Sequence, residues 1–235
     1  MRKSRGFTLV EIIVAMALGL VMLTAIYTAI NSASRSSSGI ERKVIAQQDA
    51  RSALELMAME MRMASYDINS PSLIWVDPVN CTNTSANPTY RGIQAATANS
   101  ITIEMDIDNS GAVGDAANEI IRYSYEMASQ HITRETRRDS GGCNTSGAQP
   151  FLGDTVAGRK TVNVVNAGSN VPVFRYFNTA GAEIDPGANA ALIPAIRTIE
   201  ITLLVETEDV DPASGQKRRL VYSTRVSPRN HGFFR

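Results

Sequence analysis

The sequence predicts an α+β protein, one long N-terminal helix followed by an antiparallel β-sheet domain. Three observations lead there. Residues 7–30 form an unbroken apolar stretch with no Lys, Arg, Asp, His or Pro. Residues 40–67 repeat apolar side chains at three- and four-residue steps, the helical period. From Leu73 onward the repeat shortens to alternation in brief runs, separated by Asn, Ser, Gly and Pro. Helix first and strands afterwards is the order of the α+β class.

Residues 1–6 are a basic leader, with Arg2, Lys3 and Arg5 and no acid. Cations on that flank keep it on the cytoplasmic side. Residues 7–30 exceed the roughly 20 apolar residues that a bilayer crossing needs. A secretory signal has a core of only ~7–15 residues, so ordinary signal cleavage near Ser32-Ala33-Ser34 fits poorly. Glu11 is the one ionisable residue of the stretch. A lone carboxylate at the centre of a membrane helix costs about 2.5–3.5 kcal/mol, which makes it a functional candidate.

Residues 31–39 are rich in serine and read as a flexible or loosely helical neck. Beyond it, Ala50, Leu54, Met57, Met61 and Ala64 form one apolar stripe. Glu41, Asp49, Glu55, Glu60 and Arg62 are expected on the other faces. The stripe reads as core packing, with a methionine-rich partner surface as the alternative. Pro71 ends the helical pattern. Strands are expected at 73–76, 100–106, 119–126, 132–135, 162–165, 171–177, 196–207 and 218–226. The last two make a hairpin around Pro212, while 81–99 and 139–158 read as exposed loops. The chain divides into a leader (1–6), a spanning helix (7–30), a neck with amphipathic helix (31–67) and a β-rich domain (68–235).

Charge is balanced, 23 basic against 23 acidic residues. Without residues 1–6 the balance becomes 20 against 23. No basic face suits nucleic acid, so none is expected as a partner. Cys81 and Cys143 are the only cysteines. Outside the cytoplasm such a pair reads as one disulfide, with two unpaired thiols as the alternative.

Gly6-Phe7-Thr8-Leu9-Val10-Glu11 resembles the processing motif of type IV pilins and type II secretion pseudopilins. The resemblance implies that a prepilin peptidase cuts between Gly6 and Phe7 and methylates the new amine. Cleavage there frees a cation one helical turn from Glu11. A neighbouring subunit's amine is then a natural partner for the Glu11 carboxylate in a filament, and breaking such a buried pair costs about 3–5 kcal/mol. The alternative is a plain anchor. The resemblance also implies a pilin-like fold, whose helix packs its second half on a β-sheet.

Three further passages resemble PilW-type minor pilins: Ser52–Met57 through Met61–Asp67, Val173–Phe177 leading into Gly181, and the closing pair 196–207 and 219–230. These imply a minor pilin acting in pilus assembly initiation or at the tip. Implied partners are other minor pilins, the major pilin, the peptidase, the assembly platform and the inner membrane. The chain then sits in the bacterial inner membrane before assembly and in a periplasmic or extracellular filament after it. The J-type minor pseudopilin of type II secretion is similar too. A pilus-borne adhesive module is a third reading, and a membrane-anchored β-domain with no filament role a fourth.

Asp106, Asp108, Ser110 and Gly111 occupy positions one, three, five and six of an EF-hand-like loop. Position twelve is Ala117 rather than Glu, so Asp115 and Glu119 would have to complete a different calcium geometry. A solvated loop is the alternative, and no cofactor is required by any motif. His131 and His231 are the only histidines and fit no metal spacing. With no nucleophile elbow and no phosphate-binding glycine loop, the chain is not expected to be an enzyme.

Overall fold

The computed structural model describes residues 6–68, 74–76, 92–138, 144–145, 147–156, 159–211 and 214–231. One helix, α1 (Leu9–Met63), runs for 55 residues, about 80 Å at helical rise. Of the two readings of 31–39, flexible or loosely helical, the segment takes the helical one and continues α1 without a break. Serine is a poor rather than a prohibitive helix former, and no proline interrupts the segment. Ser38 folds its hydroxyl back onto the Ser34 carbonyl at 3.0 Å.

Eleven strands follow among the described residues: β1 (Ile93–Ala96), β2 (Ser100–Glu104), β3 (Ile120–Glu126), β4 (His131–Arg138), β5 (Asn144–Thr145), β6 (Gln149–Leu152), β7 (Val162–Val164), β8 (Phe174–Phe177), β9 (Glu183–Ile184), β10 (Thr198–Thr207) and β11 (Arg219–Val226). They make two antiparallel sheets. The first runs β1-β2-β3-β4-β5 with β6 also on β4, and the second runs β11-β10-β8-β9 with β7 also on β10. Eight residue pairs, Ile199↔Val226 to Glu206↔Arg219, zip the β10–β11 hairpin.

Between the residues of β10 that pair with β8 and those that pair with β7, the edge of β10 is completed by a side chain. Buried Asn166 accepts from the Leu204 amide at 2.9 Å and donates to the Thr202 carbonyl at 2.8 Å. An amide side chain thus stands in for a missing strand residue.

The core joins α1 to both sheets. Ala46, Ala50, Ala53, Met57, Met61 and Ala64 lie along one face of the helix, all buried. Four alanines in that stripe let the helix backbone approach the sheets closely. Met57 and Met61 fill the same interface, each contributing about 1.5–3 kcal/mol by burial. Opposite them stand Ile101, Ile103, Tyr123 and Ile132 of the first sheet and Ile199, Ile201, Leu203 and Val205 of the second.

The end of α1 is pinned where four segments meet. Ser65 adopts a left-handed φ of 66° just past the helix. Its amide donates to the Glu104 carbonyl at 2.9 Å, and its hydroxyl lies 3.1 Å from His231 Nδ1. Gly92 packs against Ser65 so tightly that a Cβ would stand 2.2 Å from the Ser65 Cα, which only glycine permits. At the other end of the packed half, the β10–β11 loop reaches back along the helix. Arg42 pairs with Asp209 at 3.5 Å, and the Asp211 carboxylate, held by Arg218 at 2.6 Å, rests on Gly39.

Candidate functional site

The helix start carries the residues singled out for processing and assembly. Gly6 and Phe7 precede the helix in irregular backbone, and Phe7 is 86% exposed. Thr8 is the N-cap and Glu11 the third helical residue, and the two close a capping box. The Glu11 carboxylate accepts from the Thr8 amide at 2.8 Å and from the Thr8 hydroxyl at 2.9 Å. The Thr8 hydroxyl in turn accepts from the Glu11 amide at 3.3 Å. Two donors at the helix start are satisfied reciprocally in this way. The polar group expected to lack a partner in a lone subunit therefore has a local one.

Behind that cap the helix is apolar on every face. Leu9, Val14, Leu20, Leu23 and Ile30 all stand exposed, and no residue of the most apolar window is buried. A helix bare all round needs an apolar surrounding rather than a core. Length and composition allow this segment to cross a membrane.

The loop after β2 gathers three of the five residues weighed for calcium. Carboxylate oxygens of Asp106, Asp108 and Glu119 lie within 4.8 Å of one another, while Asp115 falls outside that set. Ser110 contributes its backbone: its amide donates to Asp106 at 3.2 Å and to Asp108 at 3.0 Å, and its hydroxyl turns to the Ala112 carbonyl. Gly111 donates to Asp106 at 3.0 Å. Glu119 accepts amides from Ile107, Gly114 and Ala116 at 3.1, 2.8 and 3.1 Å. Both Asp106 and Glu119 are buried, and burial pushes the Glu119 carboxyl above the usual range despite those amides. The carboxylates thus organise the loop's own amides. Calcium would share the same oxygens and needs six to eight ligands in all.

One site escaped the sequence. Glu60, expected on a solvent face, is buried, and Arg134 of β4 meets it with two guanidinium nitrogens at 2.8 and 3.3 Å. The Tyr123 hydroxyl donates to the same carboxylate. Burial first, and the Glu60 charge second, push the Tyr123 phenol far up, so it stays a donor. Arg134 is raised: burial alone would lower it, but the Glu60 carboxylate outweighs that. The only prior signal was position, since Glu60 is three residues past Met57 and four before Ala64. Cys81 and Cys143 lie outside the described residues, as does the leader before Gly6.

Residues 1–27 match the model of the prokaryotic N-terminal methylation motif. No curated protein and no solved structure matches the chain. The motif supports a pilin-like prepilin peptidase substrate, and with the bare apolar helix it supports anchoring in a membrane.

Proposed function

We propose that this chain is a minor pilin of a type IV pilus, cut by prepilin peptidase between Gly6 and Phe7, and working in assembly initiation or at the tip. The observation that carries the reading is the methylation motif over residues 1–27, set at the start of a helix whose first half is bare on every face. The cap refines the role of Glu11. In a single subunit its charge is held by Thr8. Cleavage before Phe7 creates an ammonium group, and a neighbour's ammonium replaces neutral donors with an ion pair. Association then gains from a charge that was tolerable, rather than unbearable, beforehand.

Mass spectrometry of the native chain tests this. The expected product begins at Phe7 with a methylated amine. A chain that keeps residues 1–6 in cells with an active peptidase overturns the proposal. Co-purification with other pilus subunits supports the pilus. Co-purification with a secretion pseudopilus instead keeps the processing step and overturns the pilus assignment.

A further inference from the structure

At the far end of α1, Met59, Met63, Tyr66 and Ile107 stand together, with buried Met105 behind them. They line a groove of about 520 Å³. Met59 is 50%, Ile107 43% and Met63 38% exposed, so these side chains are not spent on the core. The stripe of methionines is in fact divided: Met57 and Met61 face the sheets, and Met59 and Met63 face out. Contiguous exposed apolar side chains rimmed by polar ones mark an interaction surface. Unbranched, polarisable methionines adapt to an incoming side chain.

The rim says what comes. Arg62 and Arg229 border the groove, and neither guanidinium forms an ion pair among the described residues. Two cations with no ionic partner among the described residues, beside an apolar floor, suit apolar groups carrying acids. The chain's own bilayer is out of reach. Met63 lies 33 residues past Ile30 on one continuous helix, about 50 Å along its axis.

We propose that this groove docks an amphipathic segment of another protein, its apolar side chains among the methionines and its acidic side chains against Arg62 and Arg229. None of these residues lies in the matched motif, so processing and docking fail separately.

The test uses the full chain in lipid nanodiscs with ¹³C-labelled methionine methyl groups. The probe is a short synthetic peptide of repeated Leu-Leu-Glu-Glu units. The Met59 and Met63 methyl signals are expected to shift on titration. Arg62→Glu with Arg229→Glu is expected to weaken binding at least about tenfold, near 1.4 kcal/mol, with unchanged melting. If that double variant melts early, Ile107→Asp supplies the same comparison. Methyl signals that ignore the peptide overturn the proposal. Equal binding of a Leu-Leu-Lys-Lys peptide overturns it as well. Shifts on changing lipid composition alone give the groove to lipid and overturn it. Binding seen only after removal of residues 232–235 gives the groove to the chain's own tail, again overturning it.

Discussion

Over 9–30 the long helix turns large apolar side chains outward on all sides, whereas over 46–64 it presents one stripe of alanine and methionine to two sheets. Backbone geometry is the same in both halves. The difference lies in which faces carry apolar groups, and that decides the solvent each half needs. An all-round apolar half demands lipid or neighbouring helices. A striped half buries its stripe within its own chain and leaves only its outer face, with Met59 and Met63, to others. Damage to the buried stripe should therefore appear as lost folding, and damage to the bare half as lost assembly.

The largest expected effect is Glu60→Ala. It leaves Arg134 beside a vacated carboxylate position and deprives the Tyr123 hydroxyl of its acceptor. A loss of about 3–5 kcal/mol is expected in chemical denaturation, because one partner of a largely buried ion pair remains. A loss below about 1 kcal/mol would show that helix and sheet do not depend on this carboxylate.

The same change made in each half gives the next contrast. Ala50→Leu overpacks a fully buried site and should cost about 1–3 kcal/mol. Ala25→Leu sits on the bare half and should leave the domain's melting unchanged. Helix propensity is nearly equal for the two residue types, so the contrast reports packing alone. Equal melting shifts would break the division.

Glu11→Ala should act on assembly alone, and modestly, because Thr8 already holds the carboxylate in the single subunit. Incorporation into filaments, quantified by immunoblot of sheared filaments, is expected to fall about tenfold, or roughly 1.4 kcal/mol. The melting of the β-rich domain should not move. Wild-type incorporation would remove Glu11 from the assembly contact.

Much of this was readable in the sequence because it rests on periodicity. The stripe, the β10–β11 hairpin and strands β2, β3, β7 and β8 all fall within the expected ranges. What was missed rests on long-range partners. β1 (Ile93–Ala96) sits in a stretch read as loop, since Gln and Ala carry little strand preference; its pairing with β2 holds it. β6 contains Pro150, which suits an edge position against β4 and hides a strand from pattern reading. Glu60 looked solvent-facing because Arg134 lies 74 residues away. At the candidate sites, the cluster of Asp106, Asp108 and Glu119 came from spacing, and the Thr8 cap of Glu11 went unread.

The absence of any break in α1 has a mechanical consequence. A rod with a continuous hydrogen-bonded ladder transmits torque as well as position. Shifting the bare apolar end by one residue in register would swing the sheets, and the methionine groove with them, by about 100° around the axis. Register at one end thereby sets the compass bearing of the surface at the other.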